Sequence, residues 1–105
     1  MIGAIFEKYR PLAKAKGREF LFRHDVAMRF LHDLKGTGAV IAGMDFCKDD
    51  GDHVMEMIGN GADYSDLVSE LNASEATIWE AEQLLKEELP DGADWVSFTL
   101  MGITP

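Results

Sequence analysis

Apolar positions along this chain change their period several times, and each change marks an element. From Ile2 to Lys16, Ile5, Phe6, Tyr9 and Leu12 recur on one side of a helix. Pro11 is placed to kink or divide that helix, because its ring lacks a backbone donor and crowds the preceding turn. Gly17 ends the segment. Arg18 to Arg23 then switches to period two, with Phe20 and Phe22 set against Glu19, Leu21 and Arg23, and predicts a short strand. Asp25 to Lys35 returns to the helical period, since Val26, Phe30 and Leu34 repeat every fourth residue with Ala27 and Leu31 on the same face. His24 or Asp25 suits its start, Lys35 its negative end, and Gly36 and Gly38 its termination.

Ala39 to Phe46 is continuously apolar and contains β-branched Val40 and Ile41, the pattern of a buried central strand that carries Asp45 to its rim. Asp49-Asp50-Gly51-Asp52 reads as a turn, and His53 to Ile58 as the return strand of a hairpin. Gly59-Asn60-Gly61 is a loop. A short helix is expected from Tyr64 to Leu71, opened by Asp63 and presenting Leu67, Val68 and Leu71. A longer one is expected from Glu75 to Leu89, capped by Asn72 or Ser74. Its stripe is Ile78, Ala81, Leu85 and Leu89, and Glu82 stands four residues before Lys86, the favourable order for a helix ion pair. After Pro90-Asp91-Gly92, Trp95 to Ile103 alternates into a last strand. The order α-β-α-β-β-α-α-β predicts an α/β or α+β fold, one domain over residues 1–105, with helices packed on a small mixed β-sheet. Any parallel crossover in it should be right-handed.

Length and composition fit that picture. A chain of 105 residues with 47% apolar and 28% charged positions can bury one modest core without metal or disulfide staples. A single cysteine, Cys47, excludes an internal disulfide and makes a cytoplasmic home the expectation. The apolar start, Met1 to Phe6, is shorter than a signal-peptide core, and no run reaches the length of a membrane span. No membrane association is expected.

Charge changes the picture more. Eight of the ten Lys and Arg residues fall in the first 35 positions, against four acids there. The remainder holds only Lys48 and Lys86 against fifteen acids, within a net charge of −9. Such a field attracts cationic partners to one side and repels nucleic acid and anionic membrane. The basic segment, interleaved with Tyr9, Phe20 and Phe22, is too weakly charged to offset it, so no nucleic-acid partner is expected.

Catalytic chemistry has little to stand on. Asp45 to Glu56 matches a calcium loop of the EF-hand kind at its first, fifth and twelfth positions. Cys47 stands where an oxygen ligand belongs, however, and Gly51 falls one place late. A small divalent-metal-binding regulator using the Asp45–Glu56 segment is nevertheless the alternative function. Cys47 lies near Lys48 and His53 without an evident oxyanion hole, and His24 and His32 read as surface histidines. No nucleophile elbow, zinc-type cluster or phosphate loop occurs, so neither an enzyme nor a cofactor is expected.

The acids read instead as a binding surface. Asp45, Asp49, Asp50, Asp52 and Glu56 surround one turn, and Asp63 and Asp66 flank Tyr64 soon after. Carboxylates around an aromatic anchor suit a partner rich in Arg and Lys, since charge accelerates encounter and the buried ring holds the complex. Trp79, off the stripe of its helix, is either a second anchor or packed beneath the preceding loop. The residues assigned to partner binding are Asp45, Asp49, Asp50, Asp52, Asp63, Tyr64 and Asp66.

The succession from Arg18 to Leu34, then Ala39 to Phe46, then a late helix and Trp95 to Leu100, resembles a family of small bacterial immunity proteins. These are encoded beside polymorphic or contact-dependent inhibition toxins. Its sharpest motif is a buried strand ending in Gly-Gly-Asp and an apolar residue, here Gly43-Met44-Asp45-Phe46, with Met44 in place of the second glycine and Cys47 where Tyr is common. The resemblance implies neutralisation of a cognate toxin domain by tight binding that occludes its active site. Such a toxin would be basic, as nucleases are, although one scaffold can face several chemistries.

Overall fold

The helical and alternating stripes meet in a cluster of aromatic rings. Phe22 stacks on Phe30 with centroids 4.8 Å apart, and Phe30 on Phe98 at 5.7 Å. Tyr9 meets the edge of Phe30 at 5.4 Å, and Phe6 packs against Phe20 and Phe30. Burying each such ring stabilises the fold by roughly 1.5–3 kcal/mol, and these contacts fix one helical layer on one sheet face. The computed structural model describes residues 2–16, 19–49, 54–56, 61–87 and 95–101. Its helices are α1 (Ile2–Tyr9), α2 (His24–Leu34) and α3 (Ala73–Lys86). Its strands are β1 (Lys14–Lys16), β2 (Glu19–Phe22), β3 (Ile41–Asp49), β4 (Val54–Glu56), β5 (Ala62–Asp63) and β6 (Trp95–Leu100). Single 3₁₀ turns occupy Arg10–Leu12 and Ser65–Leu67.

The strands form one sheet in the order β1-β2-β6-β3-β4, with β5 beside β3. The fold is α+β. Every described pairing is antiparallel, where a mixed sheet was expected. The last strand enters between β2 and β3, so those two run in the same direction without touching. Sequence pattern alone does not reveal such an insertion, because it records which face of a strand is buried and not which strand lies next to it.

Register fixes what lies on each face. Phe46 and Phe22 both stand opposite Val96, and Met44 opposite Phe98, and these residues join the core beneath the helices. Alternation therefore turns Leu21, Asp45, Cys47 and Ser97 to the other face, where Leu21, Cys47 and Ser97 are themselves buried. The α3 stripe of Ile78, Ala81 and Leu85 closes the core on the β3 side. Thr77 ties that helix to the sheet: its Oγ1 donates to the Ala73 carbonyl at 2.7 Å and accepts from the Ile41 N–H at 3.0 Å.

Several expectations are corrected. Helix from Ile2 breaks at Pro11 into a 3₁₀ turn, and Lys14–Lys16 is not helical but pairs with β2 as an edge strand. The helix expected over Tyr64–Leu71 shrinks to the 3₁₀ turn at Ser65–Leu67, because Asp63 and Ala62 are drawn into pairing with β3. α3 starts at Ala73, with no side-chain cap from Asn72. Glu82 pairs with Lys35 across the groove rather than with Lys86 along the helix. His24 is half-buried, its Nε2 bonded to the Leu85 carbonyl, which pins the start of α2 to the end of α3. α2 itself ends as read, with Gly36 at φ +82° and Gly38 at φ +84°. Gly17, Leu89 and the Pro90-Asp91-Gly92 turn lie outside the described residues.

Candidate protein-binding face

The charge gradient along the chain becomes a gradient across the molecule. Phe6 of α1 packs on Phe20 of β2, at the β1 side of the sheet, while α3 packs along β3 at the other side. α1 and α3 thus lie towards opposite sides of the sheet, and α2, which carries Arg29 and has Lys35 at its C-cap, packs on both. Between Gly61 and Glu87 the chain carries seven acids and one base, Lys86. Asp63, Asp66, Glu70, Glu75, Glu80 and Glu87 are exposed, and Glu82 is half-buried.

The turn into this face is built by backbone pairing. Gly43 stands opposite Asp63 and Met44 opposite Ala62, and the Tyr64 N–H donates to the Ala42 carbonyl at 2.8 Å. Asp63 Oδ1 accepts from the Ser65 N–H at 2.9 Å, which holds its carboxyl below the ordinary range and opens the 3₁₀ turn. Tyr64 is half-buried and packs against the core. Burial first, and then the negative charge of Glu80, push its pKa up to about 12. Gly61 approaches β3 closely: a Cβ there would lie 2.7 Å from the Met44 carbonyl and 2.8 Å from Asp45 Oδ1. The motif Gly43-Met44-Asp45 is therefore the seat of β5, with Asp45 half-buried on the sheet face away from the helices.

On α3 the outer positions are Glu75, Trp79 and Glu80. Trp79 is 57% exposed, which decides between its two readings: it lies on the surface and not beneath a loop. Leu71, just before the helix, is fully exposed. Isolated exposed apolar residues are ordinary, but two large ones among carboxylates have the composition of an interface anchor with a charged rim.

The opposite side is locally neutralised. Lys8 Nζ and Tyr9 Oη both donate to Asp33 Oδ2, at 2.8 and 2.6 Å. These bonds lower the Asp33 carboxyl, while burial and that carboxylate push the Tyr9 phenol up to about 12. Arg10 pairs with Glu7 at 3.0 Å.

Of the seven residues assigned to partner binding, Asp63, Tyr64 and Asp66 lie together beside α3. Asp45 sits next to them at the β3–β5 seam but on the far sheet face. Asp49 ends β3, its side chain outside the described part, and Asp50 and Asp52 lie wholly outside it. The sequence reading missed Glu75, Glu80 and Glu82 as members of the same surface. The signal available for them was Trp79 falling off the apolar stripe of a helix rich in Glu. Within the Asp45–Glu56 segment the described residues pair as strands, with Cys47 opposite Glu56 and Asp49 opposite Val54, where an EF-hand loop lies between two helices; residues 50–53 lie outside the described part. Among the described residues no group of three or more His, Cys, Asp or Glu is placed to hold a metal. Cys47 is buried and His53 lies outside the described residues. No helix of the described residues is long and apolar enough to cross a membrane.

No known protein family, curated protein or solved structure matches the chain. Its function is therefore argued from its own surface.

Proposed function

We propose that this chain is an immunity-type inhibitor that binds a basic toxin domain and covers its active site in the cytoplasm, with no turnover and no cofactor. One observation carries the reading: the stretch from the Asp63–Asp66 turn through α3 to Glu87 holds seven acids and one lysine, Lys86, and exposes Trp79 and Leu71, with Lys35 at the end of α2 set against Glu82. Like-charged side chains so arranged repel one another, and an oppositely charged partner relieves that repulsion while accelerating encounter. The Gly43-Met44-Asp45-Phe46 resemblance supplies the class of partner, and the seating of β5 on that motif gives it a role in positioning the face.

The test is co-expression with the domain encoded immediately upstream. The expected result is a salt-sensitive one-to-one complex that abolishes the neighbour's toxicity. The triple variant Asp66→Lys, Glu70→Lys, Glu80→Lys should keep its melting temperature, since all three side chains are exposed, and should associate roughly tenfold more slowly or worse. Full protection of cells by that variant would remove the acidic face from the function.

A further inference from the structure

Beside Trp79 opens a cleft of about 270 Å³ between the end of α2 and α3. Gly36, Ser74 and the buried Ile78 line it, and Glu75, Glu82 and Lys35 supply its charges. It is small for a drug-sized ligand and has room for one long side chain. Glu82 is the telling residue. Its side chain is only 13% exposed, so its carboxylate needs a cation, and Lys35 provides one at 3.0 Å from a side chain that is itself 49% exposed. That lysine is a point charge on a flexible stem. A guanidinium would suit the cleft better, because its planar fork matches a carboxylate and its face lies well on an indole.

We propose that this cleft takes one arginine side chain from a basic protein partner. The guanidinium lies along the Trp79 indole, forks onto Glu82 in place of Lys35, and has Glu75 of the same helix as a second carboxylate lining the cleft. Lys35, already half in water, is released to solvent. Two carboxylates against one lysine favour a cation over an anion, and Trp79 favours arginine over lysine. The identity of the partner rests on the inhibitor reading; the chemistry of the cleft does not.

A hexa-arginine peptide is the probe, with hexa-lysine as its control, titrated into the intact protein and followed by the NMR signals of the Trp79 indole and Lys35. Hexa-arginine should shift both and bind more tightly than hexa-lysine. Trp79→Ala and Glu82→Gln should each weaken it about fivefold or more, the equivalent of about 1 kcal/mol for a lost cation–π contact or partly desolvated ion pair. Lys35→Met should tighten it, and Lys8→Met, an equal change in net charge on α1 away from the cleft, should not. Shifts that bypass Trp79, equal binding of the two peptides, or equal effects of the two lysine variants would overturn the proposal. So would a toxin complex that forms equally well with wild type, Trp79→Ala and Glu82→Gln, and that result would leave the inhibitor reading standing. Absence of any toxin complex, with hexa-arginine still seated at Trp79, would remove the inhibitor reading and support the cleft.

Discussion

Replacing Thr77 by Val should be one of the most damaging single changes of near-constant volume in this chain. The hydroxyl is fully buried and accepts the Ile41 N–H at 3.0 Å while donating to the Ala73 carbonyl at 2.7 Å. Ile41 opens β3 where the register against β6 shifts, between Ile41 and Gly43. Val fills the same space but leaves that N–H buried without a partner, a loss of about 1–3 kcal/mol. Taking about 2 kcal/mol, and about 4–8 °C per kcal/mol for a domain near this size, the midpoint should fall by roughly 10 °C. Thr77→Ser keeps the hydroxyl and loses one methyl, about 1 kcal/mol. Urea unfolding followed by circular dichroism separates them, provided the slope with denaturant is unchanged. Wild type should be the most stable, the Ser variant next and the Val variant least. A Val variant as stable as the Ser variant would refute the role given to this bond.

Gly61→Ala should destabilise by about 1–3 kcal/mol, because its Cβ would strike the Met44 carbonyl and Asp45 Oδ1 and must push β5 off β3; urea midpoints read this, and an unchanged midpoint would deny the close approach. Both tyrosines of the chain are raised from 10.0 to about 12. Stability that is complete below the unfolded value of 10.0 should therefore drain away as pH rises toward 12. Ultraviolet tyrosinate absorbance should appear with that loss, and ionisation of folded protein near pH 10 would contradict it. Asp33 is shifted the other way, so its contribution is present above 3.8 and lost as pH falls through its lower folded value. Asp33→Asn should flatten the acid limb of melting temperature against pH, and an unchanged limb would count against the Lys8–Asp33–Tyr9 cluster.

Periodicity made the buried faces legible. Val26, Phe30 and Leu34 are buried on α2, and Phe22 and Phe20 lie on the core side of β2, as their spacing predicts. Pairing was not legible. Lys14-Ala15-Lys16 has too few residues to outweigh the helical pattern before it, and only its partner β2 makes it a strand. Nothing in Trp95–Leu100 discloses that it enters the middle of the sheet, since that depends on contacts with segments fifty and seventy residues earlier. The candidate face was legible in part for the same reason. Asp63, Tyr64 and Asp66 are close in sequence and were grouped together. Glu80 joins them only because α3 folds back beside Tyr64, and Glu82 finds its cation in Lys35 on another helix.

The central claim is that the side formed by the Asp63–Asp66 turn and α3 is the one that meets a basic partner. Hydroxyl-radical footprinting of the domain alone and bound to the co-purified upstream domain tests it at the level of side chains. Leu71, Trp79, Leu12 and Met101 are all exposed in the isolated protein and report on different surfaces. Binding should protect Trp79 and Leu71, with Tyr64, and leave Leu12 as reactive as before. Protection of Leu12 and its neighbours on α1 and α2, with Trp79 and Leu71 unchanged, would contradict it.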